Sequence, residues 1–349
     1  MKTKHQIYFE NSKNMAAVPS GSVDLIVTSP PYPMIEMWDS MFAEQHPQIR
    51  KALKSRKSLL AFELMHSQLD EVWREIHRVL KGGGIACINI GDAARTVNDN
   101  FMLYPNHARI LSYLLKVGFN PLPLILWRKQ TNAPNKFMGS GMLPSGAYVT
   151  LEHEYILVLR KGPKREFNTD AEKKIRRESA LFWEERNVWY SDVWLDLKGT
   201  VQKLDNAGNR LRSAAFPFDV PYRLINMFSV KGDTVLDPFL GTGTSMWAAI
   251  ATARNSIGFE LDQSFRNEIL ADKDIFVKYA NQKIGDRIEN HLQFVQERLE
   301  TKGQLKYINK FYKFPVMTRQ ETELLLNPLA NITELGENSV EVVYASKPH

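Results

Sequence analysis

Thr28-Ser29-Pro30-Pro31-Tyr32 follows directly on an apolar run containing Val23, Leu25, Ile26 and Val27. A hydroxyl, a carbonyl fixed by prolines and an aromatic face therefore meet at the end of a buried strand. Proline gives up its backbone donor and restricts the residue before it, so two in succession are costly there. A second stretch, Val235-Leu236-Asp237-Pro238-Phe239-Leu240-Gly241-Thr242-Gly243-Thr244-Ser245, runs from a strand through a glycine turn into a helix. Glycines there let a ligand approach the backbone, and the helix start offers free N–H groups.

The strand after that helix ends in Gly258-Phe259-Glu260. A carboxylate about 20 positions beyond a glycine turn suits a ribose diol. The third glycine of a dinucleotide fingerprint is missing, because Met246 stands in its place. An adenosine-bearing ligand without a diphosphate fits better than a dinucleotide, and a plain strand-to-helix turn is the alternative. Cys87 lies inside Gly84-Ile85-Ala86-Cys87-Ile88-Asn89-Ile90, where a buried, inert thiol is expected.

These groups need a frame, and the periodicity supplies one. Leu69, Val72, Trp73, Ile76, Val79 and Leu80 form one stripe of a helix expected to stop at Gly82-Gly83-Gly84. Residues 106–119 read as a helix ending near Gly118, and residues 84–92, 122–129 and 152–162 read as strands. After Lys161-Gly162-Pro163 the pattern breaks, and residues 164–212 mix both charges with Trp183, Trp189, Tyr190 and Trp194. The α/β alternation resumes with a helix over 220–233, the glycine-turn strand, a helix over 246–254 and a strand over 256–262. Residues 264–308 read as charged, amphipathic helix. Strands spaced by helices predict a mostly parallel, doubly wound α/β sheet.

The chain has 349 residues, 44% of them hydrophobic, with a formal charge of +6. It is long enough for one large domain with an insertion, or for two. No apolar run reaches the length of a membrane span, and Met1–Lys13 lacks a signal-like apolar core. A single cysteine rules out an internal disulfide framework and suits the cytoplasm, and the scattered histidines show no zinc spacing. The basic charge is compatible with a polyanionic partner.

Thr28–Tyr32 and Asp237–Ser245 together, with Glu260 downstream, resemble the S-adenosyl-methionine-dependent amino-methylating DNA methyltransferases. The likeness extends over 216–233 and the sheet segments between 70 and 160. The Ser-Pro-Pro-Tyr motif precedes the glycine turn, the permuted beta-type order of that family. The resemblance implies a Rossmann-like methyltransferase fold acting on double-stranded DNA, with no membrane association. It leaves room for a homodimer and for a cognate restriction endonuclease as a partner in a restriction–modification system. It implies that Ser29, Pro30, Pro31 and Tyr32 receive a flipped base: the Ser29 hydroxyl and Pro30 carbonyl accept from its amino group, and Tyr32 stacks on it. Asp237, Phe239, Gly241, Thr242, Gly243, Thr244 and Glu260 are the implied cofactor residues. Serine before Pro-Pro-Tyr is commoner among the cytosine-N4 enzymes of the family, whereas adenine-N6 enzymes usually carry Asp or Asn. Adenine N6 is the alternative target, and an inactive nucleic-acid binder of the same fold is a further one. Cytosine C5 chemistry is disfavoured because it needs a reactive cysteine.

The resulting division is a catalytic part at 1–163, target recognition at 164–212, a cofactor-binding part at 213–263 and a helical extension at 264–349. Lys164, Arg165, Lys173, Lys174, Arg176 and Arg177 are the cations expected to meet DNA phosphates, and Arg50–Lys57 forms a second basic run. Asn89 and Asp92 could touch the base or merely turn the chain. Residues 331–349 align without a gap with 14–32, matching Asn14, Ser22, Val23, Ser29 and Pro31 with Asn331, Ser339, Val340, Ser346 and Pro348. Chance and a degenerate duplicate both account for this; Lys347 and His349 replace a proline and the tyrosine.

Overall fold

The computed structural model describes residues 1–97, 99–129, 138–199, 216–271 and 273–345. In chain order the first part supplies β1 (Lys2–Tyr8), β2 (Val23–Thr28), α1 (Asp39–Gln45), α2 (Pro47–Lys54), α3 (Ser58–Val79) and β3 (Leu80–Ile90). A hairpin of β4 (Ala93–Val97) and β5 (Asn100–Tyr104) follows, then α4 (Asn106–Val117), β6 (Phe119–Pro121) and β7 (Ile125–Arg128). A shorter hairpin, β8 (Met138–Gly139) and β9 (Ala147–Tyr148), leads into β10 (His153–Lys161). Next come α5 (Asp170–Glu178), α6 (Trp183–Trp189), β11 (Val193–Trp194), α7 (Asp219–Phe228) and β12 (Thr234–Asp237). The chain continues with α8 (Thr244–Ala251), β13 (Asn255–Phe259), α9 (Phe265–Leu270) and α10 (Lys273–Lys302). It ends in β14 (Tyr307–Ile308), β15 (Pro315–Val316), β16 (Leu329–Gly336) and β17 (Ser339–Tyr344).

Eleven strands form one sheet in the order β11-β7-β10-β3-β2-β12-β13-β1-β17-β16, with β6 also paired to β10. Its middle, β3-β2-β12-β13-β1, is parallel throughout. Antiparallel β10 and β17 flank it. Period-two alternation loads both faces: Leu25 and Val27 of β2, Cys87 of β3 and Ile156 and Val158 of β10 join one core cluster. Ile26, Ala86, Ile88, Leu157 and Leu159 join the other. Burial on both faces is why these strands read as near-continuous apolar runs.

The crossover through α3 carries the chain from β2 to β3 on one side, and the crossover through α8 carries it from β12 to β13 on the other. The neighbours β2 and β12 therefore mark the point where the winding reverses, and a crevice opens at their carboxyl ends. The stripe expected on α3 is buried, with Trp73 fully enclosed. The glycines after it do not stop the helix. Leu80 already has extended geometry (ψ 136°), and Gly82–Gly84 lie within β3. Gly83 has φ +85°, and a Cβ there would sit 2.7 Å from the Arg165 backbone nitrogen, so close passage of that segment requires glycine. Gly118 ends α4 in the left-handed conformation, as its sequence position predicts.

The extension after residue 263 is helical only through Lys302. Beyond it, β16 and β17 form a hairpin that pairs with β1 at the sheet edge. β17 has alternating apolar burial at Val340, Val342 and Tyr344, a pattern too short to be separated from helix by periodicity alone. It aligns with β2 as a strand, but residues 331–336 are strand where 14–19 form turns. Ser346, Lys347, Pro348 and His349 lie outside the described residues. No helix among the described residues is long and apolar enough to cross a membrane.

Trp189 and Trp194 of the 164–212 segment belong to the core, and the Trp194 indole donates to the Trp189 carbonyl at 2.9 Å. α10 is locked to this segment by Arg287, which donates to both Glu185 oxygens (2.5 and 2.7 Å) and to the Tyr222 hydroxyl (3.2 Å). Arg287 and Glu185 are both about nine-tenths buried along their side chains. Removing one partner of a buried pair strands the other charge. Glu185→Ala is therefore expected to lower the unfolding free energy by about 3–5 kcal/mol, read from urea denaturation.

Candidate active site

The carboxyl ends of β2 and β12 are tied by one side chain. Asp237 is buried and accepts hydrogen bonds from Thr28 Oγ1 (2.6 Å), Ser245 Oγ (2.5 Å) and the Phe239 backbone N–H (3.0 Å). It thereby fixes the last residue of β2, the start of α8 and the glycine turn between them. Asp237, Thr242, Gly243 and Thr244 do not line the cleft at the strand ends. Gly243 has φ +83° and abuts Ile269, so it shapes the turn.

That cleft, of roughly 330 Å³, opens where the two strand ends meet. Ser29 and Pro31 lie along it together with Phe239, Gly241 and Glu260. Apolar walls come from Trp38, Phe42, Leu261 and Phe265. The carboxylate of Glu260 accepts from the Gly241 N–H (2.8 Å) and the Asp262 N–H (2.8 Å), which orients it beside the glycine turn. An acceptor carboxylate between apolar walls matches a sugar bearing hydroxyls and a flat base. Of the residues expected from sequence to hold a ligand, Phe239, Gly241 and Glu260 therefore share one cleft with Ser29 and Pro31.

Tyr32 is half-buried and stands at the centre of a polar cluster. Its hydroxyl donates to Glu154 Oε2 (2.9 Å), lies 3.1 Å from Ser29 Oγ and accepts from Asn89 Nδ2 (2.9 Å). Asn89 also donates to Glu154 Oε2 (2.7 Å), and Lys129 donates to Glu154 Oε1 (2.8 Å). Burial, reinforced by the Glu154 charge, pushes the Tyr32 phenol well above its ordinary range. Gly91 packs on the ring, and a Cβ there would approach Tyr32 Cε2 to 2.9 Å. Asn89 Oδ1 is buried without a partner among the described residues. Asp92 turns away from this cluster: it accepts from the His107 backbone N–H (3.1 Å) and contacts His107 Nδ1 (2.8 Å), capping the start of α4.

Glu154 and Lys129 were not singled out by motif. The available signal is a carboxylate two residues into a strand whose neighbours are buried on both faces. Cys87 is fully buried, and burial pushes its thiol up, so it offers no thiolate. The basic residues of 164–177 sit at the other end of the sheet. Arg165 pairs with Asp233 (2.7 Å) and approaches Asp24 (3.6 Å), both at the amino ends of central strands. Arg177 pairs with Glu323. β11 runs parallel to β7, so the chain after Trp194 returns to the carboxyl edge. Residues 200–212 lie outside the described residues.

Burial raises Asp237 from 3.8 to about 6 against the hydrogen bonds from Ser245, Thr28 and the Phe239 N–H, with the Glu260 charge raising it further. Between those values the native state holds a proton that the unfolded chain has lost. The corresponding stability is present below about pH 4 and is lost as pH rises through about 6. In Asp237→Asn this decline, up to about 3 kcal/mol, should vanish from urea titrations compared at pH 4, 5, 6 and 7.

The family model described as DNA methylase, N6_N4_Mtase, matches residues 23–271. The chain is 50% identical to type II methyltransferase M.MthZI of Methanothermobacter thermautotrophicus, over 99% of this chain and 96% of that one. It is 48% identical to type II methyltransferase M.MjaI of Methanocaldococcus jannaschii, over 76% of this chain and 89% of that one. Among solved structures, TTHA0409 of Thermus thermophilus, a putative DNA modification methylase complexed with S-adenosyl-L-methionine, superposes with a TM-score of 0.60. The identity is 30%, over 78% of this chain and 93% of that one. The cytosine-N4-specific PvuII DNA methyltransferase shares the fold at a TM-score of 0.50 and 17% identity, over 80% of this chain and 93% of that one. With the two sequence motifs sharing one crevice, a family model over residues 23–271 and a relative matching 99% of its length, the chain belongs to the N6/N4 DNA methylase family and is a DNA methyltransferase.

Proposed function

We propose that the protein transfers the methyl group of S-adenosyl-methionine to the exocyclic N4 of a cytosine flipped out of double-stranded DNA, as the type II modification enzyme of a cytoplasmic restriction–modification system. The observation that carries this reading is the shared cleft, in which Ser29 and Pro31 lie beside Phe239, Gly241 and Glu260. Glu260 would hold the ribose of S-adenosyl-methionine beside the glycine turn, and the bound cofactor would supply the methyl group in the cleft that Ser29 and Pro31 also line. The exocyclic amine is a poor nucleophile because its lone pair is conjugated with the ring. Acceptors at Ser29 Oγ and the Pro30 carbonyl draw on its N–H groups and favour the tetrahedral geometry that frees the lone pair. Tyr32 offers a face for the flipped base, offsetting part of a cost of a few kcal/mol. In-line placement of amine and methyl supplies most of the acceleration. Serine at position 29 is the feature that favours cytosine N4 over adenine N6.

Target recognition, expected from sequence over 164–212, is assigned here to the part after Trp194, together with the hairpins that rise from the carboxyl edge. Phe101 of the β4–β5 hairpin stacks on Tyr148 of the β8–β9 hairpin (4.7 Å), joining the two. Exposed Arg50, Lys51, Lys54 and Lys57, in and just after α2, lie next in the chain after α1, which lines the cleft, and offer phosphate contacts.

Ser29→Ala is expected to slow methyl transfer by about 10²-fold or more, with affinity for S-adenosyl-methionine in calorimetry nearly unchanged. Wild-type turnover in this variant would remove the role given to Ser29. Digestion of methylated DNA to nucleosides should yield N4-methylcytosine by mass, and N6-methyladenine would transfer the assignment to adenine. DNA affinity should fall steeply with salt, and Lys51→Ala with Lys54→Ala should make the log–log slope shallower by about 1–2. An unaltered slope would take α2 out of the interface.

A further inference from the structure

The attacking amine begins with two N–H bonds and ends with one, so a proton must leave a site closed by protein and base. We infer that it leaves along Ser29 Oγ, Tyr32 Oη and Glu154 Oε2, with Glu154 as the terminus; the inference rests on the reading of Ser29 as the group facing the target amine.

The hydrogen-bond accounting gives the chain its direction. Tyr32 has one hydroxyl proton, and at 2.9 Å it goes to Glu154 Oε2, an acceptor. At the 3.1 Å contact between Ser29 and Tyr32, Ser29 is then the donor. That leaves Ser29 Oγ lone pairs for the amine, the polarity needed both to draw on its N–H and to take its proton. The Asn89 amide donates at short range to Tyr32 (2.9 Å) and Glu154 (2.7 Å), with a longer 3.5 Å contact to Ser29 Oγ, and so holds the acceptors in register. Lys129 pairs with the far oxygen of Glu154 at 2.8 Å, which holds the carboxylate in place. The Lys129 side chain is about one-third exposed, placing the end of the path beside solvent.

In the step itself the N–C bond forms as the S–C bond breaks, leaving a neutral thioether and a methylated amine with a positive charge. One N–H bond then breaks. Its proton passes to Ser29 Oγ, the proton of Ser29 passes to Tyr32 Oη, and that of Tyr32 passes to Glu154 Oε2. The products are a neutral methylamino group, restored Ser29 and Tyr32 hydroxyls, and a neutral Glu154 acid that returns its proton to solvent. The high phenol pKa of Tyr32 favours concerted hops over a free tyrosinate. Glu154 acts through Tyr32, as a positioning residue and proton sink.

The test is single-turnover methyl transfer by the full chain to unmodified bacteriophage DNA, measured in H2O and in D2O, with calorimetry of S-adenosyl-methionine binding alongside. The wild-type rate should be lower in D2O, because protons move along the path. Glu154→Gln and Tyr32→Phe should each bind the cofactor as wild type does. Each should transfer methyl at least about tenfold more slowly, with the solvent isotope effect diminished. Wild-type rates, or an unchanged isotope effect, in a variant that binds cofactor would overturn the path. If Glu154→Gln lost cofactor binding through misfolding, Tyr32→Phe, which keeps the ring, would decide on the same two readouts. A wild-type protein that binds S-adenosyl-methionine yet methylates no DNA would overturn the underlying reading, an outcome distinct from a methylating wild type with unaffected variants.

Discussion

Asp237 is buried between two strands that share a ladder, and its three hydrogen bonds hold the crevice in one shape. Thr28 ends the strand that delivers Ser29 and the prolines, Ser245 begins the helix behind the glycine turn, and the Phe239 N–H lies between them. Burying an acidic group is unfavourable unless its oxygens are met, and here they are. The Ser-Pro-Pro-Tyr turn and the glycine turn are consequently set against each other by a single group of about 4% exposure, and a displacement of either strand end would be felt by both.

The same logic of buried, satisfied charge recurs at Glu154 and at Arg287. Glu154 binds Tyr32, Asn89 and Lys129, so the Tyr32 ring is held by its hydroxyl as well as by packing on Gly91. Arg287, within a shell of Trp189, Tyr222 and Phe182, fastens α10 to α6 and α7. Such networks specify one arrangement because a half-made version strands a charge in low dielectric. Ser29, Tyr32 and the glycine turn thus sit at strand ends whose positions are over-determined from behind.

Much of this frame is legible in the sequence. The strands before Ser29 and Asp237 are apolar on both faces, and the glycine turn and Glu260 are spaced as a crossover requires, so both halves of the crevice can be placed without coordinates. Less is legible where a residue's role depends on which strand lies beside it. Glu154 reads as one acidic residue near a strand start, and only the antiparallel pairing of β10 with β3 brings it to Asn89 and Tyr32. The cations of 164–177 look suited to DNA by composition, yet Arg165 is spent on Asp233 and Asp24 at the far end of the sheet. β16 and β17 follow a 30-residue helix, and their short alternating pattern shows as a sheet edge only once β1 is in place.

The most direct test of the central claim is a crystal structure of the protein with S-adenosyl-homocysteine and a duplex containing the modified site. The ribose hydroxyls should lie on Glu260, and the target base should be out of the helix with its amino group between Ser29 Oγ and the Pro30 carbonyl, against Tyr32. A ribose bound away from Glu260, or a base held elsewhere than at Ser29 and Pro30, would contradict the account.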